Sequence, residues 1–161
     1  MRVPISPLVL VLSSALSLPA FAASFDDKVP DQQMIDALEV RATQAQPREQ
    51  CFLYAQLVHE MIEFSANQYA AGDVEKASGL LKRAQEFTHR IHLAVSDDNK
   101  RLKNAEILMR HTAFRLSEML HASSSEDRPL LQETLAQLNQ AQTEAMLQVF
   151  RKWLRPPFPA R

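Results

Sequence analysis

Two Glu-x-x-His units, Glu86–His89 and Glu118–His121, are spaced to share a metal ion. On a helix, an i, i+3 spacing sets carboxylate and imidazole on one face, one turn apart. A di-metal carboxylate centre in a helical bundle uses two such units and two further carboxylates. Glu60, Glu63, Glu133 and Glu144 are available for the second role. A third cluster, His59-Glu60-Met61-Ile62-Glu63, is one imidazole short of the H-E-x-x-H helix that grips zinc. His89 and His92 form a two-ligand surface pair. For covalent chemistry there is the single thiol of Cys51, with hydroxyls at Ser96 and at Ser123, Ser124 and Ser125. One thiol makes neither an internal disulfide nor a metal cage.

Whether these groups meet depends on the elements that carry them. From Asp31 onward apolar residues recur at helical spacing, with almost no strand-like alternation. A first helix is expected over about Asp31–Ala45, burying Met34, Ile35, Leu38 and Ala42. Pro47 ends it, because the residue before proline avoids helical geometry. A second helix follows over Arg48–Ala71, its wide stripe holding Cys51, Leu53, Tyr54, Leu57, Val58, Met61, Ile62, Phe64 and Tyr69. Gly72 and Asp73 supply a C-cap and an N-cap. The third helix, Val74–Val95, buries Val74, Ala77, Leu80, Leu81, Ala84, Phe87, Thr88, Ile91 and Val95. The fourth, Lys100–His121, has a main stripe through Leu102, Ala105, Leu108, Met109, Thr112, Leu116, Met119 and Leu120. A second stripe on it runs through Ile107 and Phe114. The fifth, Glu126–Leu154, buries Leu131, Leu135, Leu138, Ala145, Met146, Val149 and Trp153. Short connections between long amphipathic helices predict an all-α fold, an antiparallel up-and-down bundle of four long helices with the short first helix laid across one side.

Rotational phase then removes most of the chemistry. At about 100° per residue, Glu86 and His89 lie roughly 150° from the centre of the third helix's apolar stripe, and Glu118 with His121 is displaced similarly. In ferritin-like di-iron bundles such units point inward and sit on alternating helices. Here they fall on consecutive ones. His59, Glu60 and Glu63 occupy the polar arc of the second helix and read as a solvated charged face. Cys51 sits among apolar residues and reads as a small buried hydrophobe. The serines lie at turns, where they cap helices. No catalytic residue, metal ligand or cofactor is assigned.

Composition narrows the classes further. Hydrophobic residues make up 46% and charged residues 23%, enough for a packed core in one domain. Only Gly72 and Gly79 are glycine, too few for a phosphate-cradling loop, a dinucleotide fingerprint or a nucleophile elbow. A net charge of −1 creates no global field for nucleic acid, and no nucleic-acid partner is expected. The N-terminus has the pattern of a signal peptide: Arg2, an apolar run from Leu8 to Leu18, and a small-x-small site Ala20-Phe21-Ala22 before Ala23. The expected organisation is a signal peptide over 1–22, a linker over 23–30, the bundle over 31–155 and a Pro-rich tail over 156–161. The expected location is the periplasm or the medium.

The segment Tyr69-Ala70-Ala71-Gly72-Asp73-Val74-Glu75-Lys76-Ala77, followed by Ala84, resembles the helix-turn-helix of a tetratricopeptide repeat. It occurs once. What the resemblance implies is a concave peptide-binding surface.

Two features break local rules, and such breaks mark candidate functional surfaces. Lys100, Arg101 and Lys103 open the fourth helix, where positive charge opposes the helix dipole by about 0.3–1 kcal/mol each. The same face continues through Asn104, Ile107, Arg110, His111 and Phe114. Lys100, Lys103, Ile107, His111 and Phe114 are therefore the candidate interaction face, for a protein partner or for self-association. The second feature is the C-terminal run Arg151-Lys152-Trp153-Leu154-Arg155 and the prolines after it. Basic residues in a last turn suit the dipole, and a basic aromatic tail also suits an anionic membrane surface. The leading expectation is a non-catalytic exported module acting through protein contacts. Surface metal or small-ligand binding through His and Glu, and tetratricopeptide-like peptide binding, are the alternatives.

Overall fold

The computed structural model describes residues 30–96 and 99–154, and those residues hold five helices and no strand. They are α1 (Gln32–Gln44), α2 (Pro47–Ala70), α3 (Val74–Ala94), α4 (Leu102–Ala122) and α5 (Arg128–Leu154). Each begins and ends for a local reason. Asp31 caps α1 by accepting from the Met34 N–H at 2.8 Å. Pro47 occupies the first turn of α2, where its missing N–H leaves no bond unmade. Gly72 takes a positive φ of 82°, a conformation open to glycine, and lets the chain reverse. Asp73 then caps α3 through the Lys76 N–H at 3.1 Å.

The chain forms the expected bundle, with consecutive helices alternating in direction. Its ring order is α2, α3, α5, α4. Helix α2 packs against α3 and α4, α5 packs against the same two, and among the described residues α3 makes no close helix–helix contact with α4. The connection from α3 to α4 therefore crosses the end of the bundle diagonally. Asn99, itself buried, anchors it by donating from Nδ2 to the Ala94 carbonyl at 2.7 Å and accepting from Ser96 Oγ at 2.5 Å. The Lys100 N–H then donates to the Arg48 carbonyl at 2.8 Å. That bond places the start of α4 beside the start of α2, so these two neighbours run parallel.

The core is one cluster reaching through all five helices, with Leu57, Met61, Ile62, Leu81, Ile91, Met109, Leu116, Leu131 and Leu138 sealed from solvent. Helix α1 lies on α2 through Ile35, Leu38 and Ala42 and reaches α3 through Arg83, which pairs with Glu39 and Asp36. Three expected core residues lie outside it, the first being Met34 of α1, which is half-buried. Val74, at the first position of α3, and Met146 on α5 are exposed. Conversely Ala113, Glu106 and Thr134 are buried. Trp153's side chain lies outside what is described.

Candidate functional site

Helix α4 has α2 on one flank and α5 on the other, and among the described residues no other helix packs on it. Lys103, Ile107, Arg110, His111 and Phe114 are spaced i, i+4, i+7, i+8 and i+11, so they share that side of the helix. All five are exposed, Ile107 at 38% and Phe114 at 68%. Lys100 stands apart. It precedes the helix and pairs with Glu49 of α2 at 3.2 Å. Arg101 also precedes α4, in the left-handed region at φ 59°, with its guanidinium 3.7 Å from the centre of the Phe52 ring. Two of the three cations expected to oppose the α4 dipole are thus held outside the helix against α2. Only Lys103 remains in the first turn.

Helix α5 extends the face. A groove of about 600 Å³ between α4 and α5 is lined by Lys103, Glu106, Arg110, Gln142, Met146 and Phe150. Glu106 is the acid within it, and it is only 8% exposed, accepting from Arg110 at 2.9 Å and from Gln142 at 3.2 Å. What projects from the groove is the Lys103 ammonium, the Arg110 guanidinium and the Phe150 ring, the last 57% exposed. The sequence pattern sets Met146 in the core and Phe150 in no stripe, so the α5 contribution emerges from the fold. The signal was available in the repeat of Met146, Phe150 and Leu154 at i, i+4 and i+8, a second apolar line beside the core stripe.

The polar cluster on α2 requires a correction. His59, Glu60 and Glu63 are half-buried along the α2–α4 seam and do not form a solvated face. Thr112 of α4 donates its hydroxyl to the Leu108 carbonyl at 2.9 Å, so its oxygen is left to accept from His59 Nδ1–H at 3.0 Å. Burial lowers the His59 pKa, with Glu63 pulling upward and His111 downward. Burial raises the Glu60 pKa, and Glu63 adds to the rise. Arg115 of α4 spans the seam, with Nε 3.3 Å from Glu63 and Nη1 3.2 Å from Glu118. The wide apolar stripe of α2 packs on α1, α3 and α4, so even its polar arc ends up against a neighbour.

The metal candidates are not gathered. Glu86 and His89 are exposed on α3, Glu118 and His121 are exposed on α4, and those helices stand at opposite corners. On the α3–α5 side His92 Nδ1 bonds Glu144, and the His89 ring stacks on His92 with centres 6.1 Å apart. Among the described residues no three His, Cys, Asp or Glu side chains form a group able to hold a metal. The Cys51 thiol is fully buried, and burial pushes its pKa to about 11 despite a hydrogen bond from Asn99. It is therefore a protonated thiol at neutral pH. Ser123 Oγ donates to the Leu120 carbonyl at 2.8 Å and Ser124 Oγ to Asp127 at 2.8 Å, both serving the turn before α5. The Tyr69–Ala77 segment forms the α2–α3 hairpin. Tyr69 donates to Asp127 at 3.2 Å, and α4 and α5 pack on the hairpin's two helices.

The cleavage residues Ala20, Ala22 and Ala23, the pair Asp97 and Asp98, and the tail from Arg155 onward lie outside the described residues. Among the described residues no helix is long and apolar enough to cross a membrane. Comparison with family models, with curated proteins and with solved structures returns no match for this chain.

Proposed function

We propose that this chain is a non-catalytic exported helical module that acts through protein contacts, with the outer face of α4 and the adjoining end of α5 as its docking surface. The observation that carries the reading is the exposure of Ile107 and Phe114 in mid-helix on α4, together with that of Met146 and Phe150, which line the α4–α5 groove. Burying a side chain such as Phe contributes about 1.5–3 kcal/mol, so a face holding several of them leaves a large term for a partner to collect. Contiguous apolar residues rimmed by charge mark interaction sites. Export rests on the N-terminal pattern of Arg2, Leu8–Leu18 and Ala20-Phe21-Ala22.

The test is site-specific photo-crosslinking in the producing cell. A photoreactive residue at Phe114 or Phe150 is expected to give a discrete heavier adduct, and the same residue at exposed Lys82 on α3 none. Adducts of equal yield at all three positions, or at none, would remove the reading. N-terminal sequencing of the recovered protein tests export separately, with Ala23 expected as the first residue.

A second reading has one observation in its favour. The stacked His89 and His92 rings and the His92–Glu144 contact lie beside a groove between α3 and α5, where a surface metal or small ligand would find two protein ligands. Calorimetric titration with zinc and copper checks it, since the absence of heat at micromolar metal ends it.

A further inference from the structure

Because α2 and α4 run parallel, their C-termini arrive together at one end of the bundle, where α5 begins. Each C-terminus carries the negative end of a helix dipole, which a basic side chain in the last turn offsets. Helix α2 has no basic residue in its last turn, and α4 has His121 there. Between these ends lies a cavity of about 560 Å³. Ala66 and Ala70 of α2, Met119 and Ala122 of α4, and Leu131 of α5 give it an apolar lining. Among the lining residues Arg115 is the cation, and it is already shared between Glu63, 3.3 Å from Nε, and Glu118, 3.2 Å from Nη1. The Asp127 carboxylate is held differently. It accepts from two neutral hydroxyls, that of Tyr69 at 3.2 Å and that of Ser124 at 2.8 Å. Among the described residues no cation pairs with it. Burial pushes the Tyr69 phenol to about 12, and the Asp127 charge and hydrogen bond add to the rise, so the phenol stays a neutral donor.

From this we infer that the cavity takes a small amphiphilic organic cation, an amine on an apolar body, with its ammonium on Asp127 and its hydrocarbon against Ala66, Met119 and Leu131. A pocket of this size, apolar with a few convergent polar groups, is the usual form of a small-ligand site. An ammonium gives Asp127 the charge-assisted bond that its hydroxyl partners do not. An anionic ligand would meet Asp127, Glu118 and two negative helix ends. The site is separate from the α4–α5 face, which is built around the start of α4 and the end of α5, and does not depend on it.

The experiment titrates the purified full chain with hexylammonium, hexanoate and hexanol, which share one chain length and differ in charge, and follows amide shifts. Hexylammonium is expected to bind about tenfold or more tightly than either of the others, with shifts centred on Ala66–Ala71 and Ala122–Asp127. Asp127→Asn is expected to remove that preference. Because Asp127 also sits in the turn that starts α5, Ala122→Leu is the second variant. It fills the cavity from an exposed position, leaves Asp127 in place, and is expected to abolish binding with the helical circular dichroism unchanged. A lysine side chain of a partner would offer the same ammonium, so Nα-acetyl-lysine methylamide is a further arm, expected to bind more weakly than hexylammonium. Equal or tighter binding of that lysine derivative overturns the free amine in favour of a partner's lysine. Equal affinity for hexylammonium and hexanoate, shifts confined to other parts of the bundle, or no binding at millimolar concentration overturns the inference.

Discussion

The α2–α3 hairpin and the α4–α5 hairpin are built alike, two long antiparallel helices each, yet they meet the outside differently. The first has α1 lying on α2, and α2 buries residues on nearly every side, including Ser65 and Ala66 near its C-terminal end. Among the described residues the second has no further helix on its outer side. Of the nine large apolar side chains left exposed among the described residues, six lie on α4 and α5: Ile107, Phe114, Met146, Leu147, Phe150 and Leu154. The difference teaches where the chain has spent its apolar surface on its own stability and where that surface is still open. It also separates two kinds of polar residue. In the α2–α4 seam His59 is held on Thr112, and at the groove Arg110 is held on Glu106, while Lys103 is exposed.

The sharpest way to break this contrast is truncation on each side. Ile35→Ala, beneath α1, is expected to lower the urea-derived stability by about 2–5 kcal/mol, whereas Phe114→Ala is expected to stay within about 0.5 kcal/mol. A Phe114→Ala cost as large as that of Ile35→Ala would mean the α4 face is part of the core. Next in size is Thr112→Val, which leaves the His59 N–H in the seam without its acceptor. A loss of about 1–3 kcal/mol is expected by the same measurement.

Acid should act on the seam and spare the outer face. The folded protein holds the His59 pKa below its ordinary value, so the unfolded chain takes the proton first as pH falls through about 6.5. Stability is therefore whole above that pH and declines below it. Glu60, whose pKa is raised, works in the opposite sense, because the folded state binds its proton more readily than the unfolded chain does. Denaturation midpoints measured between pH 7 and 5 are expected to fall for the native sequence and to fall less for His59→Gln. A slope unchanged by that substitution would remove His59 as its source. The smallest effect is expected from Arg83→Met. Its pairs with Asp36 and Glu39 are about one-third exposed or more, so the loss should stay below about 1 kcal/mol. A larger loss would show that α1 is held by charge more than by Ile35, Leu38 and Ala42.

Much of the fold was legible because helical periodicity and capping are local. Asp31, Pro47, Gly72 and Asp73 mark ends that the structure places within two residues of expectation. The Ile107–Phe114 line was legible for the same reason, as a stripe out of phase with the main one. The misreadings have one origin. His59, Glu60 and Glu63 lie opposite the apolar stripe of α2, which on an isolated helix means solvent. On a helix with neighbours on three sides it means a seam. Met146 is apolar at helical spacing, which on one helix reads as core. Its position at the α4–α5 rim follows from how far α5 is rotated against α4, and no local pattern records that.

The sequence alone determined that the chain is helical, where its helices start and stop, and which face of each is oily. These follow from side-chain periodicity of 3.6 residues and from groups that satisfy or end a helix's own hydrogen bonds. Only the tertiary structure decided the ring order, the diagonal step from α3 to α4, and hence which oily and charged residues face a neighbour and which face outward. Those outcomes depend on contacts between residues far apart in the chain, such as Lys100 with Arg48 or His59 with Thr112, whose geometry is set by packing whole helices together.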